Sequence, residues 1–278
     1  MLAHILFMFV CGISLSQAVS DPHQVTLRWL RLGGLIAVAL LAVAALSLFV
    51  AGGPQIGDDD SYQAISRQSR WVVLELAVTG GLAIGQLMLV QLAHRQAQRL
   101  TALAAFAGTA TIIWTLNLPH NTLEQIGLQE ACTDPSITNL ALTRSVANLV
   151  GAGLVGGCLM TMLIGHAYLA AGGQMSQAPF MRLVIMVAVL LTLRLILSAL
   201  VDIRIYVSTQ PSGFEGVWVQ VMVLARYAVG LIVPALFITM TYDCVRRRAN
   251  QSATGILYVT TVLVSIGEGT ALALHGSM

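Results

Sequence analysis

The sequence has few charged residues and no lysine at all. Only 9% of its 278 residues are charged, whereas soluble domains average about a quarter. All 14 basic residues are arginine, and the longest basic run is Arg246-Arg247-Arg248 in a chain of net charge +2. This composition excludes a water-soluble globule, a disordered chain and a nucleic-acid-binding protein.

Patterns that identify common metal and catalytic sites are also missing. The four cysteines form no CxxC or CxxCH pattern, which argues against a zinc ribbon and against covalently attached haem. No HExxH, EF-hand, P-loop or nucleophile-elbow pattern occurs, so metalloprotease, ATPase and serine-hydrolase functions have no support. The sequence leaves open whether the protein is an enzyme.

Apolar residues are what the chain has in excess. They make up 57% of it, and its mean hydropathy is +0.82. A membrane helix needs about 20 mostly apolar residues. We therefore predict an all-α, polytopic transmembrane helical bundle in which residues 1–278 form a single integral membrane domain. About eight spans are expected, at roughly 2–19, 31–52, 71–93, 101–118, 139–169, 183–205, 217–241 and 255–275.

The first span has two interpretations. Ser16-Gln17-Ala18 resembles a signal-peptide cleavage site, but residues 1–10 lack the basic residue that a signal peptide carries at its start. We favour a retained first helix over a cleaved signal.

The arginines predict the orientation of the bundle. Loops that follow odd-numbered spans hold most of them, including Arg246, Arg247 and Arg248, whereas the opposite loops hold the acidic run Asp58-Asp59-Asp60. Basic loops stay in the cytoplasm. We therefore expect a multi-pass protein of a cell membrane, of the bacterial inner-membrane type, with both termini on the non-cytoplasmic side.

Polar side chains within the apolar stretches indicate a candidate site. A charge at the bilayer centre is costly, so such groups usually face the bundle interior and pair with one another. Helical spacing of about 100° per residue groups them into stripes that we expect to converge in the outer half of the bundle. The candidate ligand-binding or proton-relay residues are Glu75, Arg144, Asn148, His166, Arg194, Arg226, Tyr258 and Glu268. The competing interpretation is a purely structural network that fixes helix register.

Glycine patterns predict close helix contacts. Gly81-xxx-Gly85 and Gly153-xxx-Gly157 are small-xxx-small motifs, which let two helix backbones approach each other. Such motifs are common in membrane bundles and indicate no particular partner.

Histidines raise the question of haem. A membrane b-type haem needs two axial ligands at matched depth on facing helices, and His94 and His166 are the only weak candidates. We regard a solvated His94 and a core His166 as the simpler interpretation.

Three functions remain compatible with the sequence. The first is a membrane subunit that binds a quinone, with haem as an alternative or additional ligand, and docks onto partner subunits of an electron-transfer complex. The second is a proton-coupled secondary transporter of a small anionic solute, with an arginine holding the anion and Glu268 or Glu75 exchanging the proton. The third is a membrane scaffold or assembly factor without a ligand.

Overall fold

The computed structural model describes residues 2–51, 77–85, 88, 95–117, 135–170, 176–209 and 213–276. These parts of the chain are helical and contain no strand. The helices are α1 (Leu2–Val19), α2 (Leu27–Ala51), α3 (Arg95–Asn117), α4 (Pro135–Ala170), α5 (Ala178–Thr209), α6 (Gly213–Leu224), α7 (Val233–Arg246) and α8 (Asn250–Gly276), with a π-helical segment, Ala225–Ile232, between α6 and α7. Residues 77–85 are also helical.

Among the described residues, six stretches of helix are long and apolar enough to cross a membrane. They are Leu2–Val19, Leu27–Ser47, Leu142–Ala170, Ala178–Leu200, Gly216–Arg246 and Asn250–Leu274. The all-helical, multi-pass fold class is therefore confirmed. The third predicted span, at 71–93, lies largely outside the described residues, and α3 is not among the six. The number of about eight spans and the orientation of the termini stay predictions.

Most helices extend beyond the apolar stretches that predicted them. Helix α5 begins at Ala178 and ends at Thr209, although the predicted span was 183–205. The reason is that polar residues at the ends of a span still close helical hydrogen bonds, since the interface tolerates their side chains. Apolar length therefore locates a span but underestimates its helix.

The π-helical segment interrupts the helix that contains the predicted seventh span. In its last turn the Val233 N–H donates to the Ala228 carbonyl, five residues back. Pro234 follows at once and has no N–H to donate, so the regular α-helical ladder cannot continue unchanged through this point. A proline within an apolar span indicates a break in its helix, and the irregular turn lies directly before Pro234.

Helix α4 is the centre of the bundle. It packs against α1, α2, α3, α5 and α8. Its glycines permit this, because a Cβ added at Gly156 would lie 2.6 Å from Gly12 Cα of α1 and would force the two backbones apart. Helix α1 has 61% of its length buried and also packs against α2 and α3.

Exposed arginines gather at one end of the bundle. Arg99 Nε donates to the Ala18 carbonyl at 3.4 Å, which brings the start of α3 to the end of α1. Helices α4 and α8 run antiparallel, because Gly165 lies beside Thr254 while Gly151 lies beside Glu268. The exposed arginines of this arginine-rich end are Arg28, Arg31, Arg99, Arg182, Arg246, Arg247 and Arg248.

Candidate functional site

A buried ion pair joins α5 to α8. Arg194 Nε donates to Glu268 Oε1 at 2.7 Å, and Arg194 Nη2 donates to Glu268 Oε2 at 2.5 Å. Arg194 is fully buried and Glu268 is 5% exposed. Two parallel bonds from one guanidinium to one carboxylate fix both side chains, and they are stronger than bonds between neutral groups.

Gly151 of α4 forms one wall of this ion pair. A Cβ at position 151 would overlap Glu268 Oε2 and would lie 2.9 Å from Glu268 Cδ and 3.1 Å from Arg194 Nε. Any larger residue would therefore push the carboxylate away from the guanidinium. Helix α4 thus contacts the ion pair through the backbone of Gly151, and α4, α5 and α8 pack together at this point.

A second buried arginine lies in the π-helical segment. Arg226 is 2% exposed, and its Nη2 donates to Ser198 Oγ of α5 at 2.9 Å. Ser198 is one turn of helix beyond Arg194, so both buried arginines reach the same stripe of α5. In the same segment Gly230 touches Gly267, the residue that precedes Glu268. The segment therefore packs directly against the helix turn that carries the acid.

One hydrogen-bond donor of the ion pair is left over. Arg194 Nη1 is buried and has no hydrogen-bond acceptor among the described residues. Leaving a buried donor without an acceptor costs about 1–3 kcal/mol, and more when the group is charged. The Arg194–Glu268 pair has no net charge. A ligand that accepts a hydrogen bond from Nη1 is therefore expected to offer a neutral, carbonyl-type oxygen rather than an ionised group.

Two predicted residues of α4 lie close to the ion pair along the helix. Asn148 and Arg144 share a face with Gly151, at about one and two turns from it. Asn148 is 1% exposed and Arg144 is partly buried. The polar stripe of α4 predicted from the sequence therefore leads to the Arg194–Glu268 contact through a residue, Gly151, that carries no polar side chain.

Other predicted residues lie elsewhere. The Tyr258 side chain is 48% exposed, and His166 is exposed near the arginine-rich end. Glu75 and His94 lie outside the described residues, so neither their place in the site nor a His94–His166 haem pair is visible.

The hydroxyl stripe of α8 is satisfied within its own helix. Thr254, Thr261 and Ser265 donate to the carbonyls of Asn250, Leu257 and Thr261. A line of hydroxyls along one helix face can also serve as a solute or proton path. Donation to the helix backbone is the simpler role, and it is the one that the geometry has.

The glycine contacts differ in part from the predicted ones. Gly153 and Gly157 pack against side chains of α1 and α5, whereas Gly81 and Gly85 have no described atom within 4 Å of an added Cβ. The tight crossings are Gly12–Gly156 and Gly230–Gly267, which sequence reasoning missed. Single glycines give a weak signal, because only the fold decides which of them faces a partner backbone.

An open groove lies between α5 and α7, on the outside of the bundle. Its volume is about 660 Å³, and its lining is almost entirely apolar. It follows the outer face of α5 and reaches Leu193 and Ile196, the helix turn that also carries Arg194.

No group of His, Cys, Asp and Glu side chains in the described part of the chain could hold a metal ion. No protein-family model, curated protein or solved structure matches this chain. What the fold and the site establish is an apolar helical membrane protein with a buried Arg194–Glu268 pair.

Proposed function

We propose that the protein is a membrane subunit of an electron-transfer complex and that it binds a lipid-soluble quinone beside Arg194 and Glu268. The observation that supports this most is the unused donor at Arg194 Nη1, buried next to a carboxylate. A quinone needs a donor for one carbonyl oxygen and an acid that can deliver a proton, and it reaches such a site through the membrane.

The charge of the pair favours a quinone over an anion. Glu268 already neutralises Arg194, so the pair itself offers no net positive charge to an anionic ligand. A neutral carbonyl oxygen can accept from Nη1 without any change in net charge. Reduction of the bound quinone to the quinol takes two electrons from a partner subunit and two protons from the aqueous phase. Glu268 would relay one of these protons, binding it as negative charge develops on the quinone and then passing it to the nearer quinone oxygen.

The experiment compares the quinone content of purified variants. Wild-type protein is purified in mild detergent from quinone-containing membranes, and quinone is extracted and measured per chain. Glu268→Gln keeps the size of the side chain but removes its charge. Ser265→Ala, one turn away on α8, removes a hydroxyl that bonds only within its helix and serves as the matched control.

We expect about one quinone per chain in the wild type and in Ser265→Ala, and a loss of at least roughly tenfold in Glu268→Gln, because the two charge-assisted bonds that hold the Arg194 guanidinium in place are weakened. A wild-type protein that stays folded but carries no quinone, and takes up none when it is added, would contradict the proposal.

The second candidate is a proton-coupled carrier of a small anionic solute. It is favoured by the π-helical segment that packs beside Glu268, because carriers place irregular helices at their sites. Proton-coupled uptake into vesicles that is lost in Glu268→Gln and kept in Ser265→Ala would support the carrier over the quinone site. Failure of both assays would leave a scaffold or assembly role.

The arginine-rich end supports a cytoplasmic placement of that face and a location in a cell membrane of the bacterial inner-membrane type. Its exposed arginines offer a docking surface for acidic partner subunits. The protein's other partner is the lipid bilayer itself.

A further inference from the structure

The groove between α5 and α7 has the dimensions of one lipid tail. Its lining on α5 runs from Val184 to Ile196, which is about 18 Å at 1.5 Å per residue. One half of a bilayer's hydrocarbon core is about 15 Å thick. The groove therefore spans a single leaflet, beginning near the arginine-rich end and ending at the depth of the buried ion pair.

At the arginine-rich end, each of the two helices that line the groove carries an arginine just beyond the lining residues. On α5 the lining residue Ile185 is preceded three positions earlier by Arg182. On α7 the lining residue Tyr242 is followed four positions later by Arg246. Residues three or four apart share a helix face, so both exposed arginines extend the groove walls to the membrane surface.

The groove mouth carries an excess of positive charge. Asp243 lines the groove there and offsets one of the two arginines, which leaves one positive charge, and Arg247 immediately beyond the helix end adds a second. A phosphodiester carries one negative charge, which this excess attracts. Asp243 and the Tyr242 hydroxyl remain available to accept from the hydroxyl groups of a glycerol headgroup.

We propose that this groove binds one anionic phospholipid, with an acyl chain along α5 and α7 and its phosphate between Arg182 and Arg246. The apolar length selects a lipid rather than free phosphate, because exposed arginines alone hold a small anion only weakly in water. Guanidinium groups suit the phosphate, since they bind it with two parallel hydrogen bonds. This site is separate from the proposed quinone site and does not depend on it.

The headgroup end is tested by lipid retention. The full-length protein is reconstituted with phosphatidylglycerol or with phosphatidylcholine, washed in detergent, and the lipid that remains bound is counted by native mass spectrometry. The wild type retains one phosphatidylglycerol in preference to phosphatidylcholine. Arg182→Gln and Arg246→Gln each weaken retention of phosphatidylglycerol by roughly fivefold, which is the usual contribution of one basic side chain at an anionic lipid surface.

The control variant also removes two positive charges from the arginine-rich end, but at positions away from the groove. Arg28→Gln with Arg31→Gln changes two exposed arginines of α2 and leaves the groove untouched, so retention stays at the wild-type level. Equal loss in this control would overturn the proposal, because it would show attraction to the whole basic end. Equal retention of the two lipids by the wild type, or displacement by inorganic phosphate, would overturn it as well.

The tail end has its own pair of variants. Val189 lines the groove, and Val262 of α8 does not, yet each is 59% exposed. Val189→Trp fills the groove and lowers retention of phosphatidylglycerol, whereas Val262→Trp leaves it unchanged. If Val189→Trp retained the lipid as well as Val262→Trp does, the acyl chain would not lie in this groove.

Discussion

At the scale of single residues, the buried Arg194–Glu268 pair determines how the centre of the bundle behaves. Taking both charges out of water is expensive, and their attraction compensates only because the geometry is bidentate. Removing one partner strands the other as a buried charge. A single substitution at either position is therefore far more damaging than replacement of both by apolar residues.

Gly151 is predicted to be as important to the pair as the charged residues are. Gly151→Ala places a methyl group onto Glu268 Oε2, so we expect destabilisation by about 1–3 kcal/mol, the usual range for overpacking. The measurement is thermal unfolding in detergent.

The matched control for Gly151→Ala is Gly255→Ala in α8. An added Cβ there meets no described atom within 4 Å, so stability should stay unchanged or rise slightly, because alanine is the better helix former. Equal behaviour of the two alanine variants would show that Gly151 does not touch the pair.

At the scale of helices, the π-helical segment packs closely against α8 at a glycine crossing. Gly230 and Gly267 meet backbone to backbone, and Glu268 follows directly. The widened turn lets Arg226 reach Ser198 while α7 continues toward the arginine-rich end. The crossing therefore fixes the height at which the acid meets α5.

Gly267→Ala is expected to push the π-helical segment and α8 apart. Its methyl group would overlap Gly230 Cα, which is backbone and cannot turn away, so we expect a loss of about 1–3 kcal/mol. Gly269→Ala, two residues along the same helix, meets no described atom and should be neutral. The measurement is the unfolding temperature of the two variants. Similar values for Gly267→Ala and Gly269→Ala would mean that the backbones at Gly230 and Gly267 are not in contact.

At the scale of the whole molecule, the sequence predicted the class of fold and placed both members of the Arg194–Glu268 pair among the buried polar residues. Apolar length and the scarcity of charge identified a helical membrane bundle, and charged residues within the apolar stretches identified the candidates for buried pairs. A buried arginine and a buried acid in separate spans predicted an ion pair. These are local properties, and the period of a helix is enough to find them.

Pairing between helices could not be predicted in the same way. Spacing tells which face a residue occupies but not which helix lies opposite, so Arg194 was only one of several possible partners for Glu268. Tyr258 falls on the polar stripe of α8 by spacing, yet it is 48% exposed, since the stripe is wider than the contact with α4. The Gly12–Gly156 crossing likewise became visible only once the helices were assembled.

The orientation of the whole bundle makes a further prediction. Because the exposed arginines share one end and α8 runs away from it, the C-terminus is expected on the non-cytoplasmic side. Alkaline phosphatase fused to the C-terminus of the full chain should be active, and green fluorescent protein fused there should be dark. The reverse pattern would place the arginines outside the cytoplasm.

A double-mutant cycle on Arg194 and Glu268 measures how strongly the two side chains interact within the bundle. Unfolding free energies are measured for the wild type, Arg194→Met, Glu268→Met and the double variant. We predict that each single variant loses about 3–5 kcal/mol while the double variant loses far less than their sum, giving a coupling of at least about 2 kcal/mol. Losses that add to within about 0.5 kcal/mol would show that the two side chains do not pair, and the account would fail.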